Sequence, residues 1–165
     1  MTTTTARHGL PLLAPGQAQK EMFHNEALSA VDALLHAAVE SVGATEPPAD
    51  PAPGQSWILG AAPTGAWAEH AHALACWTEG GWRFQRPAAG MRVVIRATRI
   101  PVEWDGSGWR EGEVNCMRVM VGGQAVVGAR GAAIADPAGG PVVDAEARGA
   151  IGAVLAALRK HGLVA

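Results

Sequence analysis

The sequence predicts an α+β fold: a long N-terminal helix, an antiparallel β-meander with two tryptophan hairpins, and a C-terminal helix. Three observations predict it. A Trp-x4-Trp unit occurs twice, as Trp77 to Trp82 and Trp104 to Trp109, and Arg83 and Arg110 follow the second Trp each time. Both interiors are rich in turn formers, as a short hairpin loop requires. Apolar residues recur at helical spacing across residues 17–42. Asp144 and Glu146 suit a helix start, while Arg159, Lys160, His161 and Gly162 suit its end.

Taken in order, residues 1–14 form an N-terminal arm. Leu10-Pro11-Leu12-Leu13 cannot be helical through Pro11. Such an arm is often ordered only on a partner. Residues 15–43 hold the N-terminal helix, entered after Pro15-Gly16 and capped by Gly43. Leu28, Val31, Leu35, Ala38 and Val42 repeat at 3-4 spacing, and Phe23, Ala27, Ala30 and Leu34 form a second stripe beside them. That face is broad enough for two readings: a core helix, or a helix with one stripe on its own sheet and the other on a neighbouring copy. Under the second reading Leu28, Val31 and Leu35 are oligomer-interface candidates.

Residues 44–56 are a connector. Four prolines between Thr45 and Gly54 force an extended, polyproline-like path. Residues 57–143 form the antiparallel β domain, with short strands and turn signals every few residues. The first strand is Ser56-Trp57-Ile58-Leu59, and the hairpins pair 73–78 with 81–85 and 102–105 with 108–111. Residues 91–96 and 115–121 are further strands, and two short ones fit at 125–127 and 132–134. The C-terminal helix occupies 144–165, with an apolar stripe of Ala147, Ile151, Val154 and Leu158. Its opposite face is small: Ala145, Gly149, Gly152 and Ala156. An interior glycine costs about 1 kcal/mol against alanine. Either the helix tolerates that cost, or Gly149, Gly152 and Ala156 admit another backbone at a subunit contact.

Composition narrows the function. The length suits one domain with a real core. Net charge is −2, and the charged share of 17% is low beside 48% apolar residues, which suggests surface buried against other chains, as in a homo-oligomer. No basic run calls for nucleic acid. The N-terminus has no secretory apolar core, and no apolar run is long enough for membrane insertion, so a chain made in the cytoplasm and staying soluble or joining an assembly is expected. Cys76 and Cys116 are too few for a zinc or disulfide framework and read as small buried hydrophobes in strands.

Signatures of catalysis are sparse. There is no phosphate-binding glycine loop and no Gly-x-Ser-x-Gly elbow. His70 and His72 could share a strand face beside Glu69, but a fourth ligand is not evident, so no metal is expected. His24 and His36 read as partly buried polar positions on the helix. Glu103 and Asp105 share a strand face yet read as exposed carboxylates rather than a glycosidase pair. Cys76 has no catalytic histidine nearby in sequence. The expectation is a protein that is not an enzyme, with no catalytic residues and no cofactor. The Trp units keep two readings. They anchor a sheet poor in other aromatics, or Trp77, Trp82, Arg83, Trp104, Trp109 and Arg110 form a glycan platform, rings stacking on sugar and charged groups binding hydroxyls.

Several motifs resemble a known family. Gln17-Ala18-Gln19-Lys20, then His24-Asn25-Glu26-Ala27-Leu28, then Asp32-Ala33-Leu34 follow its N-terminal pattern. Pro47-Pro48, Pro53-Gly54, Gly60-Ala61, Thr64-Gly65-Ala66-Trp67-Ala68, Gly80-Gly81-Trp82-Arg83-Phe84 and the second Trp unit also match. So does the tail from Asp136-Pro137-Ala138-Gly139-Gly140 through Asp144-Ala145-Glu146-Ala147-Arg148 to Leu158-Arg159-Lys160-His161-Gly162-Leu163. The chain resembles the domain of unknown function shared by head-spike proteins of gene transfer agents and by spike or fibre proteins of related prophages. The resemblance implies a structural component on the capsid surface of a virion-like particle assembled in the bacterial cytoplasm. Its implied partners are other capsid, spike or fibre proteins and the capsular polysaccharide of recipient cells, beside the homo-oligomer that the helix faces and low charge suggest. The chain ends near its last helix, so a spike base or adaptor is expected rather than the adhesive tip. The alternative is a carbohydrate-binding module acting directly through the Trp hairpins.

Overall fold

The computed structural model describes residues 3–14, 16 and 20–165. Pro15, the predicted helix start at Gln17 and the 17–19 part of the N-terminal motif lie outside the described residues. The chain divides into two compact units, Met1–Glu113 and Val114–Ala165.

In the first unit the long N-terminal helix is not present. Helix α1 spans Lys20–Leu34, 15 residues. Leu35, Ala38 and Val42 continued the apparent helical seam, but a different period takes over beyond Leu34. His36 adopts a positive φ of 46°, and Ala37 and Val39 then alternate into a core at 5% and 0% exposure. Buried alternation of period two is strand chemistry, and β-branched Val39 favours it. Strand β1 (Ala38–Val39) therefore stands where helix was predicted.

The sheet is also not a single antiparallel meander. Strands β2 (Ser56–Ile58), β3 (Leu74–Thr78) and β4 (Gly81–Gln85) form one sheet, while β1, β5 (Arg92–Ile95), β6 (Pro101–Trp104) and β7 (Trp109–Glu111) form another in the order β1-β5-β6-β7. β1 runs parallel to β5, with Ala38 opposite Val94 and Val39 opposite Ile95. The chain after β1 then bonds to β2: Glu40 N–H donates to Ser56 O at 2.8 Å, and Ile58 N–H donates to Ser41 O at 3.0 Å. This segment stitches the two sheets together.

Two core clusters result. Ala37, Val39, Ile58, Leu74, Val93 and Val102 make the first; Trp57, Leu59, Trp67, Ala73 and Ala75 make the second. Strand β2 serves both, sending Ile58 to one side and Trp57 to the other, so it is buried on both faces. Each fully buried aliphatic side chain contributes about 1.5–3 kcal/mol.

The second unit holds β8 (Val119–Val121), β9 (Gln124–Val127) and α2 (Ala145–Lys160). Gly122 and Gly123 join the strands with φ of 56° and 81°, as a type I′ hairpin requires. Asp144 caps α2, its carboxylate accepting from Ala147 N–H at 2.8 Å. The predicted strand at 132–134 is absent; only Gly131 bridges, pairing with Val164 near the C-terminus. Leu155 is the single buried residue of this unit. No helix among the described residues is long and apolar enough to cross a membrane.

Candidate functional site

The two hairpins bring the candidate tryptophans together in pairs. Trp77 stands opposite Trp82 and Trp104 opposite Trp109. The ring centroids lie 4.9 and 5.5 Å apart in edge-to-face contact, a favourable aromatic geometry. Gly81 at φ 98° and Gly106 at φ 105° supply the turns that set these registers. All four rings are half-buried.

The first pair belongs to a larger aromatic cluster. Trp82 meets Trp57 at 5.5 Å and Trp67 at 5.1 Å, and Trp67 is completely buried. The second pair is anchored through the loop before β3, where Trp109 Nε1–H donates to His72 O at 2.9 Å and the His72 ring lies 5.8 Å from Trp104. In the same loop His70 stacks face to face on Phe84 at 3.7 Å. His70 and His72 lie in the loop before β3 rather than in a strand, and each packs on an aromatic ring. Half-buried aromatic side chains thus line both hairpins, with two imidazoles among them.

Both candidate arginines already hold carboxylates. Arg83 Nε and Nη2 donate to the two oxygens of Glu26 on α1, each at 2.6 Å. Those bonds hold the Glu26 carboxyl below its usual range. Arg110 Nε donates to Asp105 Oδ2 at 2.7 Å within its own hairpin loop. The Ser107 and Gly108 N–H groups donate to Asp105 Oδ1 at 2.7 and 2.8 Å, and with the Ser107 hydroxyl and Arg110 they hold this carboxyl far below the usual range. Cys76 is buried in β3, where burial pushes its thiol up, a small hydrophobe rather than a nucleophile. Cys116, also expected inside a strand, is exposed in a loop.

The interface candidates fall on two surfaces. On α1, Leu28 is half-buried and Val31 is 50% exposed, while Leu35, at 41%, lies just past the helix end. Met22 and Phe23 are also exposed, at 55% and 75%, with Met22 on the opposite side of α1 from Val31. On α2, Gly149 and Ala156 are exposed and Gly152 is half-buried. A Cβ added at either glycine would meet nothing within 4 Å, so no backbone approaches them inside the chain. Leu155, not the predicted stripe of Ile151 and Val154, is the buried position of α2.

One constellation had no motif to announce it. Asp32, buried on α1, collects the arm. It accepts from the Thr5 hydroxyl at 2.8 Å, Arg7 N–H at 2.9 Å and His8 N–H at 2.8 Å, with His8 Nδ1 at 3.0 Å. Burial pushes the carboxyl up, but these hydrogen bonds outweigh it and hold Asp32 below the usual aspartate range. Arg7 in turn donates to the carbonyls of Asp32, Ala33 and His36 at 2.8, 2.9 and 2.8 Å. A cation thus satisfies the orphan carbonyls at the negative end of α1. An aspartate within an otherwise apolar helix stripe was the only available signal.

These elements describe a β-rich domain organised by paired aromatics, with an arm latched to a short helix. Residues 24–110 match the model of a family of proteins of unknown function, from within α1 through the second Trp hairpin. The chain belongs to that family, DUF2793. No curated protein matches the chain.

Proposed function

We infer that this chain is a non-catalytic structural component of a phage-like particle, of the gene transfer agent head-spike kind. It serves as a base or adaptor between capsid and fibre and aids attachment to the capsular polysaccharide of recipient cells. The observation that carries the reading is the state of the Val114–Ala165 unit. It buries Leu155 alone, while Met120, Val121, Val126, Ile151 and Val154 are 47–61% exposed. A unit this size that leaves its large apolar residues in water has too little burial to offset its chain entropy. Association with another polypeptide supplies what is missing. The exposed stripe of α1 and the low charge point the same way, and the motifs in 17–34 give the particle context.

The test is density-gradient fractionation of particles from the producing bacterium, followed by immunogold labelling of this chain. We expect it to co-sediment with DNA-filled capsids and to label their surface. A chain that stays at the top of the gradient overturns the reading.

A second reading, direct glycan binding, is favoured by the half-buried aromatic side chains along both hairpins. Glycan-array binding lost on Trp104→Ala in a folded protein would support it; binding retained after both Trp104→Ala and Trp77→Ala would end it.

A further inference from the structure

Strand β4 is an edge of the three-stranded sheet β2-β3-β4. The backbone of β3 decides what that edge presents. Trp77 N–H donates to Gln55 O at 2.9 Å and Gly54 N–H donates to Trp77 O at 2.8 Å, so Trp77 turns its backbone groups toward β2. Its neighbours Cys76 and Thr78 therefore turn theirs toward β4, where Arg83 and Gly81 stand opposite. The same alternation aims the N–H and C=O groups of Trp82 and Phe84 away from the sheet. Neither N–H has an acceptor and Phe84 O has no donor among the described residues; Trp82 O accepts only from the guanidinium of Arg83, at 3.1 Å. None of the 5 residues of β4 is buried, so this edge keeps access to solvent.

An open edge recruits another strand unless it is short or charged. β7, an edge of the other sheet, is both: it has 3 residues, with Arg110 and Glu111 exposed. β4 is longer, carries Trp82 and Phe84, and its one charge, Arg83, is neutralised by both carboxylate oxygens of Glu26. A second β4 fits it. With the two strands antiparallel and Trp82 opposite the second copy's Phe84, every outward group of Trp82 and Phe84 on both copies pairs. The contact is isologous, as a two-fold axis requires, and the axis passes beside Arg83. Each Trp82 ring then lies beside a Phe84 ring of the other copy, a cross-strand aromatic pair formed twice. The two guanidiniums that meet at the axis arrive already paired with Glu26. The low charged share of the chain, 17%, favours a second copy as the occupant.

We propose that β4 is a self-pairing edge that joins the three-stranded sheets of two copies into one continuous six-stranded sheet. The pairing uses only groups of the Met1–Glu113 unit, so it stands apart from the particle reading and from the state of the second unit.

The test is a register-specific cross-link. With Cys116→Ser as background, Arg83→Cys puts two thiols at the axis, where facing Cα atoms of a non-hydrogen-bonded pair lie about 4.5 Å apart, within disulfide reach. Gln85→Cys instead faces the second copy's Gly81 and leaves its own symmetry mate about 13 Å along the strand, beyond reach. We expect mild oxidation to give a disulfide-linked dimer with Arg83→Cys and none with Gln85→Cys. Amide exchange puts the same question to the unaltered chain, so a poorly folded variant would not blunt it. The Trp82 and Phe84 amides should slow about tenfold or more between micromolar and millimolar protein, while the Arg83 amide, bonded within the chain, serves as control. Trp82 and Phe84 amides that exchange alike at every concentration, a folded Arg83→Cys protein that does not cross-link, or equal cross-linking at Gln85→Cys overturns the proposal. Amides that slow only on addition of a different particle protein assign the edge to that partner and overturn self-pairing.

Discussion

Replacing Asp32 with alanine removes the acceptor on which the arm is latched. The Thr5 hydroxyl, the N–H groups of Arg7 and His8, and the His8 ring at Nδ1 all lose their partner. A hydrogen bond to a charged group is worth about 1.5–3 kcal/mol, and the terms are not additive. Breaking a buried charged network by removing one member costs about 3–5 kcal/mol. No arm residue belongs to either core cluster, so the arm can detach without opening the sheets. The loss therefore appears as local release rather than global unfolding. At ~1.4 kcal/mol per tenfold, the arm's opening equilibrium rises about 10²–10⁴-fold. Native-state hydrogen exchange reads this directly. The amides of Thr5 and Leu12, bonded to Leu10 O and Thr3 O, should exchange far faster, while Ile58 and Trp77, bonded to Ser41 O and Gln55 O, should keep their protection. Arm amides exchanging at the unaltered rate, or arm and core amides accelerating together, would refute the latch.

Other outcomes follow from the same contacts. Because the Asp32 carboxyl is held below its unfolded value, the latch is fully present above the usual aspartate range and is lost as pH falls through the folded value; arm exchange should quicken only below about pH 4. Gly54 has φ 88°, and a Cβ there would meet Arg7 Cγ at 2.9 Å, so Gly54→Ala should loosen the arm by about 1–3 kcal/mol, read as arm exchange with the Trp77 amide as internal control. Trp67→Ala should lose about 3–5 kcal/mol in denaturant unfolding, with collapse of the near-ultraviolet dichroism of the Trp57–Trp67–Trp82 cluster. Glu26→Gln should cost no more than about 1 kcal/mol, and less in high salt, because the pair with Arg83 is exposed.

The hairpins were legible because their signal is local: a Trp, four turn-forming residues and a second Trp fix a register within six positions. The closing helix was legible for a similar reason, since Asp144 caps it within one turn. The N-terminal helix was misjudged because Leu35, Ala38 and Val42 extend a 3-4 pattern by coincidence across a change of period. Their neighbours Ala37 and Val39 are the buried ones. What overrides the helix is the pairing of β1 with β5, strands separated by the whole Pro-rich connector and the first hairpin, and nothing near residue 38 announces it. The latch was hidden likewise, because Arg7 and Asp32 meet across a sequence gap of 25 residues. Of the candidate glycan residues, the structure pairs the tryptophans but commits Arg83 and Arg110 to carboxylates, a competition that spacing alone does not reveal.

The assembly proposed for this chain has other copies covering the exposed apolar residues of α1 and the poorly buried Val114–Ala165 unit. The mass of the purified protein in solution, by light scattering on a sizing column at micromolar concentration, tests it most directly. A discrete multiple of the chain mass is expected. A stable monomer at every accessible concentration, with the second unit folded as it stands here, would contradict it.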